Sequence, residues 1–346
     1  MEHPALTASG LTDLLRRGGS LTRGEVLDVQ VERELQTWVS HLAFVRVQYS
    51  AHASRDLPCS LLLKWPATGS GQRGPDDDAE RDFYARVGRS LPSPPMVRCL
   101  AAVEGAEGRS TLVLEDLRSS HDHRPWPIPP SRPRCEAALD ALARVHAEWW
   151  EHPSLGKTIG APHTAESLRE MVQGIGAELP AFLADVGDAL PRRGRETLER
   201  VFSSPLRPWL RLADPHALTL AHGDAHSWNF LFPRGGAGPA YLIDWQTWHV
   251  DVGARDVAYL IALHWPPSRR RELEQPLLRH YHEQLLRGGV EGYPFEALLL
   301  EYRRCAVRNL TFPIIFWKRG MAPEGWWNRL DHALAAYRDL ECEELL

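Results

Sequence analysis

Residues 220–232 read LAHGDAHSWNFLF and residues 240–245 read AYLIDW. The first stretch sets His222, Asp224, His226 and Asn229 between apolar flanks; the second is an apolar run that ends at Asp244. Oxygen-bearing side chains delivered by apolar segments are what phosphoryl transfer from a nucleotide requires. One carboxylate accepts the proton of the attacking hydroxyl, while a neutral amide and a second carboxylate hold magnesium against the phosphates. Magnesium is hard and takes oxygen donors, which Asp and Asn supply. The same stretch also spells His-x-Asp-x-His, a spacing that suits zinc in a metal-dependent hydrolase, with His222, Asp224 and His226 as ligands. No further histidine cluster completes that set, and it leaves Asn229 without a task.

The groups need elements to hold them. LTLAHG (218–223) and AYLIDW (240–245) are expected to be two adjacent strands, joined through NFLFPRGGAGP, with the polar residues at their ends and in the loop between. Upstream, GEVLDVQVERELQ (24–36), VSHLAFVRVQYS (39–50), LPCSLLLKWP (57–66) and STLVLEDL (110–117) read as strands, and AERDFYARVGRSL (79–91) as a helix with Phe83, Val87 and Leu91 on one stripe. ATGSGQRGPDDDA (67–79) is a loop, and the Pro-rich segment 122–134 is a connector between two halves. The remainder is mostly helical. Residues 135–153 carry Leu139, Leu142, Val145 and Trp149 at helical spacing; residues 268–289 start at a Ser268 cap, contain Pro276 as a site for a kink, and end in Gly288-Gly289. The run Arg269–Arg271 reads as a solvated face.

Bulk composition narrows the class. With 346 residues, 43% hydrophobic and 25% charged, the chain has the make-up of an ordinary soluble protein and the length for two domains or two lobes. A formal charge of −5 gives no support for a nucleic-acid or anionic-membrane partner. Cys59, Cys99, Cys135, Cys305 and Cys342 are scattered and odd in number, which fits a reducing compartment rather than a disulfide framework. The N-terminal stretch lacks a signal-peptide layout, and no apolar run approaches the roughly 20 residues of a membrane span, so a cytoplasmic location is expected. Tryptophan is abundant, at 13 residues.

HGDAHSWNFLF followed by LIDWQ, Gly253 and Asp256-Val257-Ala258 resembles the catalytic core of the aminoglycoside phosphotransferase and choline kinase family. The Asp-to-Asn spacing is that of the protein-kinase catalytic loop. The resemblance implies an α+β, two-lobed protein-kinase-like fold, with a small antiparallel-sheet lobe (1–117) for nucleotide and a larger helical lobe (118–346) for catalysis and acceptor. ATP, or GTP, would lie with Mg²⁺ between them. It assigns Asp224 as the catalytic base, Asn229 and Asp244 as magnesium ligands, and His222 and Asp256 as braces of the loop. SLLLKWP resembles the strand whose lysine grips the phosphates, which nominates Lys64, with Glu80 as its ion-pair partner. LVLEDL resembles the hinge that meets the base around Glu115 and Leu117. The chain after residue 280 is similar to the ecdysteroid-kinase-like branch. One departure stands out: ERELQTWVSH (32–41) contains no glycine where protein kinases carry a Gly-rich flap, leaving Ser40 as a substitute phosphate donor.

The implied reaction is transfer of the γ-phosphoryl group to a hydroxyl of a small molecule. A catalytically silent binding module on the same fold is the rival, against which the full Asp/Asn/Asp/Lys set argues. Trp245, Trp248 and Trp265 follow the second strand and are candidates for lining an acceptor pocket, with core packing as the alternative. Toward the C-terminus, acids (Glu324, Asp331, Glu341, Glu343, Glu344) mix with aromatics (Phe316, Trp317, Trp326, Trp327). That mixture is compatible with an amino sugar, a choline-like amine held by cation–π contacts, or a bulky apolar alcohol; the tryptophan content tilts toward the last.

Overall fold

Alternation of side chains along Ser60–Pro66 determines which residue of the nucleotide-type lysine strand faces where. Leu61, Leu63 and Trp65 are buried in one cluster with Leu11, Leu14, Leu15, Ala43, Val45 and Val47; Lys64, of opposite parity, points to the other face of the sheet. The computed structural model describes residues 4–37, 40–67, 78–88, 91, 95–104, 110–122, 131–204, 217–236 and 238–346. The tip of the flap at 38–39, most of the loop 67–79 and most of the connector 122–134 lie outside the described residues.

The chain opens with α1 (Ala8–Arg17), followed by β1 (Val26–Gln36), β2 (Ser40–Tyr49), β3 (Ser60–Pro66), α2 (Ala79–Phe83), β4 (Cys99–Glu104), β5 (Ser110–Glu115) and β6 (His121–Asp122). Next come α3 (Arg132–Glu148), α4 (Ala165–Ala177), α5 (Leu179–Val186), α6 (Arg192–Ser203), β7 (Leu218–Ala221), β8 (Phe230–Pro233), β9 (Tyr241–Leu242) and β10 (His249–Val252). Five helices close the order: α7 (Ala254–Ala258), α8 (Pro267–Arg287), α9 (Phe295–Arg308), α10 (Thr311–Lys318) and α11 (Pro323–Asp339). Among the described residues no helix is long and apolar enough to cross a membrane.

Two compact units result, residues 1–123 with 231–248, and residues 124–230 with 249–346. The first holds an antiparallel five-stranded sheet in the order β1-β2-β3-β5-β4. Lys64 stands opposite Leu42 and Leu112 in that sheet. Helix α1 covers the far face; Thr7 caps it by accepting the Gly10 amide at 3.1 Å, and Gly18 ends it against β4. Neither α1 nor β4 was expected. CLAAVE carries two alanines and reads weakly as strand.

The expected boundary after residue 117 is not where the units divide. β6 pairs with β8, and β8 with β9, in a three-stranded sheet of its own, and 231–248 group with the first unit. The expected pairing of 218–223 with 240–245 is likewise corrected. β7 pairs with β10, Ala221 opposite His249 and Leu218 opposite Val252, while β9 belongs to the β6-β8-β9 sheet. Every one of these strands is only two to four residues long, so periodicity alone does not choose among partners.

In the second unit α3 packs along α8, and Thr219 of β7 donates to the His146 carbonyl of α3 at 2.7 Å. Helix α8 starts at Pro267 rather than at a Ser268 cap and runs through Pro276 to Arg287. Arg270 is 1% exposed, paired with Glu274 at 2.7 Å and with Asp339, so the arginine run is not a wholly solvated face. Glu274 also accepts the Tyr302 hydroxyl at 2.8 Å, which links α8, α9 and α11 through one buried network.

A Cβ on Gly18 would sit 2.4 Å from the Leu100 carbonyl oxygen. Gly18→Ala is therefore expected to push α1 off β4 and cost about 1–3 kcal/mol. A urea midpoint equal to that of the parent chain would show that this close approach is not needed.

Candidate active site

The loop that follows β7 is held from beneath by one carboxylate. Asp256 of α7 accepts the backbone amides of His222 at 2.6 Å and Gly223 at 2.9 Å, and its Oδ2 lies 3.2 Å from His146 Nε2. His146 Nδ1 meets the Tyr281 hydroxyl at 2.7 Å. Asp256, His146 and Tyr281 are all fully buried. Burial works against the charge of Asp256, but His146, His222 and the two amides outweigh it and hold the carboxyl below its ordinary range. Gly223 has φ +84°, the left-handed turn that lets both amides reach one carboxylate.

That loop presents Asp224. Its Oδ1 accepts the Tyr259 hydroxyl at 2.7 Å; its Oδ2 lies 3.2 Å from Asn229 Nδ2 and 3.4 Å from His226 Nε2. Asn229 Nδ2 also donates to the Asp224 carbonyl at 2.9 Å. Burial pushes the Asp224 carboxyl up, yet His226 and Tyr259 hold it well below the usual carboxylate range. Asn229 spends both amide protons on Asp224, so Oδ1 is the atom it has left for a cation. β10, the partner of β7, is anchored by Asp251, which lies 2.9 Å from Arg308 and 3.4 Å from His249.

The first unit builds a separate set. Lys64 Nζ lies 2.6 Å from Glu80 Oε2 and 2.7 Å from Asp244 Oδ1. Burial disfavours the ammonium, but the two carboxylates more than compensate and raise the lysine above its ordinary value. Burial, with Asp244 nearby, pushes the Glu80 carboxyl up against the pull of Lys64. Glu80 also accepts the Trp245 amide at 3.4 Å, and Trp245 stacks on Phe83 at 4.0 Å between centroids. Asp244 itself is left-handed, at φ +67°.

The remaining candidates sort as follows. Glu115 ends β5 and donates its amide to the Arg98 carbonyl; among the described residues the Leu117 amide has no partner, while its carbonyl accepts from Ser120 and His121. Ser40 is 4% exposed, with its hydroxyl 3.4 Å from Gln246 Nε2, so it is buried rather than offered to a phosphate. Trp245 and Trp265 are 0% and 1% exposed and form core, and Trp248 spends its Nε1 on the Ala79 carbonyl at 2.9 Å. For Trp245 and Trp265 the expectation of lining an acceptor pocket is corrected: indoles next to apolar strands found packing partners first. His226 Nδ1 accepts the Trp228 amide and His222 Nδ1 the Asp224 amide, and among the described residues no three His, Cys, Asp or Glu side chains are arranged to hold a metal. The zinc hydrolase reading therefore has no support.

Sequence reasoning missed Tyr259 and His146. Tyr259 follows Asp256 by one helical turn, in DVAY, so both reach the same loop. That spacing was readable once Asp256 had been placed; His146 lies 110 positions from Asp256 and gave no local signal.

Comparison with known proteins identifies the class. A protein from Ralstonia eutropha JMP134 assigned as an aminoglycoside phosphotransferase is similar at 13% identity and TM-score 0.60, over 96% of this chain and 97% of that one. Plasmodium vivax ethanolamine kinase is similar at 14% identity and TM-score 0.55, over 96% and 85%. The GDP complex of aminoglycoside 2′-phosphotransferase-IIIa is similar at 12% identity and TM-score 0.52, over 92% and 94%. At these identities the likeness shows the fold, which is protein-kinase-like. Residues 82–288, more than half of the chain, match the Ecdysteroid kinase-like family, and the chain belongs to that family. No curated protein matches the sequence.

Asp251 lies well below the ordinary carboxylate range because Arg308 and His249 outweigh its burial. A depressed carboxylate contributes its full stability above the unfolded value of about 4 and loses it as pH falls toward the folded value. Asp251→Asn should therefore be less stable than the parent at neutral pH and lose less stability between about pH 4 and pH 2. Parallel pH profiles of the urea midpoints would contradict this.

Proposed function

We propose that this chain transfers the γ-phosphoryl group of ATP or GTP, as the magnesium complex, to a hydroxyl of a bulky, partly apolar small molecule. The observation that carries the reading is the pairing of Asp224 with Asn229 on one braced loop, 2.9–3.2 Å apart through the Asn229 amide. Asp224 would orient the acceptor hydroxyl and take its proton. Asn229 Oδ1 and Asp244 would hold the metal, Lys64 the phosphates, and the Leu117 amide the edge of the base.

The donor chemistry fits magnesium. One ammonium shared by Glu80 and Asp244 leaves that cluster a net negative charge, and both Asp244 and Asn229 offer hard oxygens. Bound magnesium would supply neutralisation of charge on the phosphates during transfer. The residues then work by positioning and electrostatics, which is most of what such a reaction asks of a protein.

For the acceptor, the rings near the loop matter. Tyr259, Phe312 and Phe316 stand in succession at centroid distances of 5.0 and 5.7 Å. Arginines face them, Arg255 over Phe312 at 4.8 Å and Arg329 over Phe316 at 5.0 Å. Aromatic surface already engaged by cations favours an apolar alcohol over an amine. The C-terminal acids are spent elsewhere in part, Glu344 on Arg303 at 2.7 Å and Glu343 on Arg200.

Nucleotide consumption across a panel of hydroxylated compounds tests the reading. Asp224→Asn should lower turnover by about 10² to 10⁴ with an unchanged circular dichroism spectrum. Near-parental turnover of that variant, or no consumption by the parent with any compound, sinks the proposal; the second result leaves the silent binding module. Asp244→Ala should in addition lose heat of binding for Mg–ATP in calorimetry.

A further inference from the structure

A carboxylate offers about four acceptor positions on its two oxygens. For Asp224, Oδ2 is occupied twice among the described residues, by Asn229 Nδ2 and by His226 Nε2. Neither donor is free to leave. The second proton of Asn229 Nδ2 is held by the Asp224 carbonyl, and His226 Nδ1 accepts the Trp228 amide at 3.2 Å, which places the imidazole proton on Nε2. Among the described residues Oδ1 is occupied once, by the Tyr259 hydroxyl at 2.7 Å. The Asp224 side chain is 32% exposed, so the carboxylate is in part open to solvent.

We propose that Tyr259 is a positioning residue: its hydroxyl fixes Asp224 Oδ1 so that the last open lone pair on that oxygen receives the acceptor hydroxyl, with the phenol oxygen as the immediate neighbour. The inference rests on the kinase reading of Asp224. In the step itself the acceptor oxygen bonds to the γ-phosphorus, the bond from that phosphorus to its bridging oxygen breaks, and the acceptor proton passes to Asp224 Oδ1. The nucleoside diphosphate leaves, and Tyr259 keeps its proton throughout.

The surroundings of Tyr259 are built for such a task. The residue is 3% exposed. Its ring meets Phe312 edge-on at 5.0 Å and His264 at 4.6 Å, with the Arg255 guanidinium 5.5 Å from the centroid. The His264 Nδ1 hydrogen bond to the Tyr259 carbonyl, at 2.8 Å, fixes the backbone as well. The helix changes to a π-turn at Tyr259–Leu263, a local widening that re-aims the side chain. Asn309 closes the base of the assembly: its Oδ1 accepts from Arg255 at 3.1 Å and its Nδ2 donates to the Ala258 carbonyl at 3.0 Å. A ring placed only to fill core would need no hydroxyl. Here, among the described residues, the hydroxyl is the single donor on Oδ1.

Tyr259→Phe removes that hydroxyl and keeps the ring, so the packing is preserved. ADP release from Mg–ATP is measured with water as the acceptor. The expected result is a fall of roughly ten-fold or more in kcat, with KM for Mg–ATP within about two-fold of the parent. The double variant with Asp224→Asn should be no slower than Asp224→Asn alone, because the phenol acts through that carboxylate. A kcat within about two-fold of the parent, a KM that rises in step with the loss of rate, or additive losses in the double variant would overturn the assignment. A parent chain that releases no ADP with water or with any compound of the hydroxylated panel overturns the kinase reading and this assignment with it; an active parent matched by Tyr259→Phe overturns this assignment alone.

Discussion

The loop that carries Asp224 depends on a single buried carboxylate. Asp256 is fully buried, and a charge in that position is tolerable only when its oxygens are filled. They are filled by two consecutive backbone amides of the loop and by His146. The imidazole passes the constraint on to Tyr281 of α8, so carboxylate, imidazole and phenol lock α7, α3 and α8 to one turn of backbone. The fit leaves no spare volume. A Cβ on Gly253 would lie 2.5 Å from the Tyr281 hydroxyl and 2.9 Å from His146 Nδ1, which explains a glycine at the start of α7 where no turn demands one. Asp256 and Tyr259 then divide the work along one helix. One fixes the backbone of the loop and the other fixes the Asp224 carboxylate.

What the sequence disclosed followed from how local each signal was. Asp224, Asn229 and Asp244 stand out because polar residues at the ends of apolar runs are costly unless they are used, and Lys64 because alternation along β3 sets it apart from Leu63 and Trp65. The kinase-like fold was readable from the same motifs; the ecdysteroid-kinase-like likeness was read from the chain after residue 280, whereas the family match spans 82–288. Strand partners were not. β7 and β9 have similar composition, and the choice between them is made by β10, a strand of four residues that follows both. The tryptophans misled for a related reason: an indole reads the same in a pocket wall as in a core, and only the stacking of Trp245 on Phe83 separates the two. Ser40 failed because exposure, not residue type, decides whether a hydroxyl can meet a phosphate. His146 was silent because its meaning comes from Asp256, 110 positions away.

The lysine cluster of the first unit shows how a strained residue is kept in place. Asp244 adopts a left-handed backbone, which costs a non-glycine residue energy, although aspartate tolerates it better than most. Two contacts at the next residue hold it there, the Trp245 amide on Glu80 and the Trp245 ring on Phe83. Both partners lie on α2, so the helix that supplies the ion-pair carboxylate also sets the conformation of the second acid. The two carboxylates are therefore unequal. Glu80 is 5% exposed and held by a lysine and an amide, a fixed partner in a low dielectric where letting go would be expensive. The Asp244 side chain is 39% exposed and engages Lys64 through one oxygen. Of the pair, it is Asp244 that can give up its share of the lysine to a cation without stranding a buried charge.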